Sequence, residues 1–336
     1  MQDGGLDMGK RELEYYATLG PSSKDGKVME EMFRVGMTGV RVNTSHSTLE
    51  EMEDWLAEYF KAAKKCGVKE PKLLMDLQGP ELRIGKIPKG ISLKEKKKIR
   101  IGKGGIKVPK AILANLKKGR EILLDDGMIL LMVKKCEENY ADCIVLRGGK
   151  LESKKSITLP GIKLDTPTLT KTDLENISRI QENKVTGVML PFVRSGQDVK
   201  NLRDALKQEK CKDTKIYAKI ENLAGMECIE EVAEYADEIV IARGDIGNDM
   251  HLRELPAAQK KIATVCRKKE VPFLVATQLM HTMEENGAPS RAEVLDVYNC
   301  VLDGASGLML TGETAKGKHP VSAMGYMVNT AKEALR

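Results

Sequence analysis

Three sets of polar residues sit two apart at the ends of apolar runs, and each offers chemistry that a packed core does not need. Arg41, Asn43 and Ser45 close GVRVNTS, Lys219 and Glu221 close KIYAKIE, and Thr311 and Glu313 close GLMLTGE. Residues two apart in a strand share a face, so each set would be aimed the same way. Asp76 lies near the end of KLLMDLQ, Thr277 near the end of PFLVATQ, and Asp245 follows EIVIARG. Any one set reads equally well as a structural ion pair. Unpaired buried charge is expensive, so convergence from six runs points to a site. Glu221 and Asp245 are hard oxygen donors suited to Mg2+ or Mn2+. Lys219 is a cation able to stabilise a migrating phosphoryl group. Arg41 and Arg83 offer guanidinium grips for further phosphate oxygens. Gly244 and Gly247 let the backbone approach a ligand, and N–H groups there, if they open a short helix, suit a substrate carboxylate. His46 is a candidate for nucleotide contact, although a lone exposed histidine carries little information.

These residues need strands to position them, and the chain supplies eight runs: 15–20, 39–45, 72–78, 187–192, 215–221, 238–244, 272–278 and 307–313. Stretches with apolar residues at helical spacing, such as 50–65 and 254–269, lie between most of them. Eight strand–helix units predict an α/β fold, a parallel (β/α)8 barrel. The alternative, an open doubly wound sheet, lacks its glycine fingerprint after any run. One gap, from Gln78 to about Thr170, is too long for a connection. It holds short β-type runs punctuated by Asp125-Asp126-Gly127 and by Gly148-Gly149, which read as hairpin turns. The expectation is a small β-barrel lid inserted after the third strand, with the barrel in 1–84 and 165–336 and the lid in 85–164. Active sites of such barrels lie at the C-terminal end of the strands, where an insert can act as a lid.

Composition removes several classes of function. The chain has 336 residues, 41% hydrophobic and 31% charged, so it is long and apolar enough for a folded core rather than disorder. Four Phe and one Trp make that core aliphatic. The net charge of +6 comes partly from Lys94, Lys96, Lys97 and Lys98 without interleaved aromatics, a solvated face rather than a nucleic-acid surface. Seven cysteines with no C-x-x-C pair argue against zinc and for reduced thiols in the cytoplasm. No run approaches the length needed to span a bilayer, and the opening residues lack a signal peptide's apolar segment. The Arg243-Gly244-Asp245 tripeptide as an adhesion signal would need secretion, which nothing supports.

The order of the motifs ATLGPSS (17–23), RVNTSH (41–46), DLQGPELR (76–83), KKSITLPG (154–161), KIEN (219–222), ARGDIG (242–247), ATQ (276–278) and LTGETAKG (310–317) resembles the pyruvate kinase family. The resemblance covers almost the whole chain, and the family fold is a (β/α)8 barrel with a β-barrel lid after strand 3. It implies phosphoryl transfer from phosphoenolpyruvate to ADP, giving pyruvate and ATP. By that similarity Glu221 and Asp245 hold the divalent metal and Lys219 stabilises the transferring group. Thr277 lies by the enolate face that gains a proton, and the backbone at Gly244 and Asp245 binds the substrate carboxylate. Asn43, Ser45, Asp76 and the Leu77 carbonyl form a K+ site, with Glu81 marking K+ dependence. Arg41, His46, Arg83 and Lys155 meet nucleotide or phosphates. A homo-oligomer is also implied. The family's usual C-terminal domain, with its sugar-phosphate effector site, has no counterpart in these residues, so a short form is expected. Small departures stand at Thr44, where the family has Phe, and at Leu77-Gln78, Ser156 and Pro191. Two other readings fit the same residues: a related metal-dependent barrel enzyme acting on another enol phosphate or 2-oxo acid, and a non-catalytic ligand-binding regulator.

Overall fold

The computed structural model describes residues 12–45, 47–125, 127–162 and 166–336. Eight parallel strands close into a barrel: β1 Glu14–Thr18, β2 Gly39–Asn43, β3 Lys72–Asp76, β4 Gly187–Leu190, β5 Lys215–Ile220, β6 Glu238–Ala242, β7 Phe273–Ala276 and β8 Gly307–Leu310. Each pairs with its sequence neighbours, and β1 pairs with β8 to complete the ring. The strands are almost wholly buried because helices cover one face and the lumen the other, which is why they read as apolar runs rather than alternating ones. The lumen is filled by Tyr16, Leu74, Met189, Tyr217, Leu274 and Met309 among others, large side chains from different strands meeting in layers.

The helices start where side chains satisfy free backbone N–H groups. Asp25 accepts from Lys27 and Val28 at the start of Gly26–Val35, and Ser290 forms a capping box with Glu293 at the start of Arg291–Leu302. The stretch 50–65 is a short 3-10 turn followed by helix Glu53–Lys65, and the last helix is Pro320–Ala334. No helix among the described residues is long and apolar enough to cross a membrane.

By its internal contacts the chain forms two compact units. One comprises the segments up to Gly79, Thr168–Gly244 and Leu255–Arg336; the other comprises Pro80–Pro167 and Asp245–Glu254. The second unit is antiparallel β. Its five-stranded sheet runs in the order Ile157–Thr158, Glu121–Leu124, Ile129–Cys136, Tyr140–Arg147, Lys98–Gly102, and Ile91–Leu93 pairs with Gly149–Leu151. Its aliphatic core includes Ile101, Ile122, Leu131, Val133 and Leu151. The turn after Leu124 is a hairpin, with Asp125 in the left-handed region (φ 53°); Asp126 lies outside the described residues. Gly148-Gly149 is not a hairpin. The chain there crosses from one sheet to the other, and a Cβ on Gly148 would lie 2.3 Å from the Leu93 carbonyl oxygen.

At the N-terminal end of the barrel a polar network lies against the lumen. The Tyr16 hydroxyl donates to Glu14 and lies 3.4 Å from that of Tyr217, Lys72 pairs with Glu14, and Ser306 Oγ donates to Glu238 at 2.7 Å. Burial raises the Glu238 carboxyl above its ordinary range, outweighing Ser306, Lys215, Lys72 and Tyr217, which act the other way. The folded chain therefore holds this proton more tightly than the unfolded one. The stability it contributes is complete below pH 4.5, the ordinary value, and is lost as pH rises through the folded value. Glu238→Gln should then stabilise the fold by roughly 1 kcal/mol at pH 8 and have little effect at pH 4. Melting temperatures across that range would test this, and an equal effect at both ends would refute it.

Candidate active site

The C-terminal ends of β2, β3 and β5 bring four of the expected residues into direct contact. Arg41 donates to Asp76 Oδ2 through Nε at 2.9 Å and through a terminal nitrogen at 2.6 Å. Lys219 Nζ lies 3.1 Å from both Asp76 oxygens and 2.8 Å from Glu221 Oε1. The other Glu221 oxygen accepts the Phe192 backbone N–H at 2.8 Å. The Asp76 and Glu221 side chains are 2% and 1% exposed, and those of Arg41 and Lys219 both 13%, so the four charges lie in a weakly screened environment, with the cations at its open side. Burial alone would push the Asp76 carboxyl up; Lys219 and Arg41 outweigh it and hold the group below the usual carboxylate range. Burial would likewise strip the proton from Lys219, but Asp76 and Glu221 more than compensate and its pKa is raised. Lys219 is therefore a fixed cation, not a proton shuttle.

Beside this cluster, the amide oxygen of Asn43 accepts the Ser45 N–H at 3.1 Å, and Asn43 is paired in register with Asp76. Thr44 is buried, and its N–H and hydroxyl both donate to the Asp76 carbonyl, at 2.9 and 2.7 Å. The residue that stands in place of the family's aromatic thus ties the loop after β2 to the end of β3. The Leu77 N–H donates to the Met189 carbonyl. His46 lies outside the described residues.

A second group forms where β6 and β7 end. Thr277 and Gln278 both sit in the left-handed region, with φ 73° and 55°, an uncommon conformation for a β-branched residue and a sign of stored strain. Thr277 Oγ1 accepts the Gly244 N–H at 2.8 Å, and its carbonyl accepts two bonds from Arg243, at 2.8 and 3.2 Å. Arg243 also pairs with Asp296 at 2.6 Å. The role of Arg243, obscure in the sequence, is to hold Thr277 in place. A Cβ on Gly244 would meet nothing closer than 3.6 Å, so no protein neighbour demands that glycine. Arg243→Leu should destabilise the chain by about 2 kcal/mol through these lost charge-assisted bonds. Denaturant titration would check this, and an unchanged midpoint would contradict it.

Asp245 lies in the first turn of helix Arg243–Asp249, one residue past Gly244. Arg83 and Lys155 occupy adjoining segments of the second unit: Arg83 bridges to Ser156, donates to the Lys154 carbonyl at 3.1 Å and pairs with Glu81 at 2.6 Å. Its Nε is buried without a partner, while Lys155 pairs with Asp125 at 2.8 Å. Thr311 and Glu313 depart from expectation. β8 stops at Leu310, and Glu313 lies buried in the short helix Gly312–Ala315, where it accepts the Met280 and Thr311 N–H groups. It is spent on holding two loops. Sequence reasoning misses the contributions of Phe192 and Thr44, since backbone donors and a loop hydroxyl leave no spacing signal.

The pattern of the family described as "Pyruvate kinase, barrel domain" matches residues 10–324. The chain belongs to the pyruvate kinase family. It is 34% identical to the pyruvate kinase of Staphylococcus epidermidis (strain ATCC 35984), with 96% of this chain and 57% of that protein aligned. It is 34% identical to that of Geobacillus stearothermophilus, with 95% and 56% aligned. It is 33% identical to that of Aeropyrum pernix, with 96% and 71% aligned. The chain therefore spans little more than half the length of the first two relatives.

Proposed function

We propose that this pyruvate kinase family chain moves the phosphoryl group of phosphoenolpyruvate to ADP, giving pyruvate and ATP, a step of glycolysis. The observation that carries this reading is Lys219, a buried cation kept charged by Asp76 and Glu221 at the barrel mouth. Phosphoryl transfer spreads negative charge over the equatorial oxygens, and a preorganised cation stabilises it without reorganisation. Arg41, beside it on Asp76, offers a second cation to the same oxygens.

Glu221 and Asp245 are read as the ligands of a divalent ion, since both are hard carboxylates and Mg2+ or Mn2+ is usually held by one or two of these together with substrate oxygens and water. Such an ion would supply Lewis-acid charge at the enolate oxygen. Asn43, Ser45, Asp76 and the Leu77 carbonyl are read as the K+ site, supported by the bonds that gather Asn43, Ser45 and Asp76. The backbone at Gly244 and Asp245 orients the substrate carboxylate. The Thr277 hydroxyl, bonded to the Gly244 N–H, is read as lying by the methylene carbon that gains a proton as the enolate becomes pyruvate. Arg83 and Lys155, with His46, are assigned to the nucleotide; the unpartnered Arg83 Nε supports that role. The division read from the sequence, 1–84, 85–164 and 165–336, differs by a few residues at each junction from the compact units, the second of which starts at Pro80 and so holds Arg83 together with Lys155. Seven unpaired cysteines favour a cytoplasmic setting. Leu295, Tyr298 and Leu302, exposed along helix Arg291–Leu302, favour self-association.

The test is pyruvate formation from phosphoenolpyruvate and ADP with Mg2+, with and without K+. Turnover is the expected result. Binding of both substrates without turnover would favour a regulator, and turnover of a 2-oxo acid without ADP would favour a lyase.

A further inference from the structure

We propose that Asp173 is a positioning residue that pins, from within the barrel, the two chain segments at which the insert leaves and rejoins it, and that the affinity for nucleotide, assigned to the insert's Arg83 and Lys155, depends on this clamp. The proposal rests on the phosphoryl-transfer reading above. Asp173 is fully buried in the first turn of helix Lys171–Ile177. One carboxylate oxygen accepts the Gln78 N–H at 2.8 Å. The other accepts the Gly79 N–H at 3.1 Å, the Thr170 N–H at 2.8 Å and the Thr170 hydroxyl at 2.7 Å. Gln78 and Gly79 are the last barrel residues before the insert begins at Pro80, and Thr170 follows its end at Pro167.

An ordinary capping box joins only the first turn to its own cap. Here the same carboxylate also captures the outgoing connection, 95 residues away in sequence. These partners are N–H and hydroxyl donors, not cations, so the bonds are short-range and directional and fix backbone position rather than charge. The outgoing side has little freedom of its own: Gly79 has φ 61°, and a Cβ there would lie 2.5 Å from Pro191 Cγ. Asn cannot replace Asp173, because its NH2 would face N–H donors and at least one connection would be released. None of the hydrogen bonds described for Arg41, Asp76, Lys219 or Glu221 involves Asp173. The Gln78 N–H it holds shares a peptide group with the Leu77 carbonyl read as a K+ ligand, so the variants are compared at saturating K+.

The experiment compares the full chain with Asp173→Asn, Thr170→Val and Thr170→Ser. Hydrogen exchange is read across 77–82 and 166–170, together with the KM for ADP and the binding of phosphoenolpyruvate without nucleotide. Asp173→Asn should raise the KM for ADP about tenfold while phosphoenolpyruvate affinity stays within about twofold. Exchange should quicken on both connections, beyond the three amides bonded to the carboxylate. Thr170→Val should be intermediate and Thr170→Ser native-like, since serine keeps the hydroxyl. An unchanged KM for ADP, exchange confined to the bonded amides, or a parallel loss of phosphoenolpyruvate affinity would overturn the proposal. If Asp173→Asn does not fold, Thr170→Val carries the comparison. If the native chain gives no turnover, the phosphoryl-transfer reading fails by itself, and the exchange pattern alone decides the clamp.

Discussion

Lys219→Ala is expected to lower pyruvate formation by at least about a thousandfold, close to 4 kcal/mol of transition-state stabilisation. The loss has two physical parts that measurement can separate. On the proposed phosphoryl-transfer reading, the variant removes the cation that would meet the moving phosphoryl group. It also leaves Asp76 and Glu221, both almost fully buried, with one cation fewer between them. Breaking a buried ion pair from one side costs about 3–5 kcal/mol of stability, so kcat and the unfolding midpoint should be read on the same samples. Mg2+ should raise the melting temperature of the variant more than that of the native chain, because a divalent ion at Glu221 would relieve the carboxylate repulsion. A variant that stays folded and retains a tenth of the native kcat would remove Lys219 from the chemistry.

Asp76→Asn should destabilise the chain by about 3–5 kcal/mol at pH 7, since Arg41 and Lys219 would then face each other with Glu221 alone to offset them. The sign with pH follows from the depressed Asp76 pKa. The native chain has this stabilisation in full above the unfolded value of 3.8 and loses it as pH falls through the lower folded value. The variant has no such proton to take up. Urea midpoints of the two proteins should therefore lie far apart at neutral pH and draw together in acid. A gap that is the same at pH 3 and pH 7 would mean that Asp76 contributes through packing rather than charge.

The barrel could be read from the sequence because burial on both faces writes strands as unbroken apolar runs, EIVIA at β6 being an example. Arg41, Asp76, Lys219 and Glu221 were equally legible, since a buried strand gains no stability by ending in charge. What stayed hidden was whatever depends on loop backbone. GLMLTGE continues the pattern of β8 past its end, but Thr311 turns the chain and Glu313 is drawn inward by the Met280 N–H. Gly148-Gly149 looks like a turn because both turns and close sheet crossings need a missing Cβ. Arg243 was opaque because its partners are a distant carbonyl and a carboxylate on the helix Arg291–Leu302.

The closed neck at Asp173 has a further consequence for how the chain can change. To the barrel, everything from Pro80 to Pro167 is a single excursion whose two ends are already held together by a barrel side chain. Lengthening a loop whose ends are closed costs little, about 0.6 kcal/mol for each doubling. The ring of strands is therefore little affected by how long the excursion is. Added hairpins could be tolerated there, provided the carboxylate, the residues it holds and the packing of the excursion with Asp245–Glu254 remain.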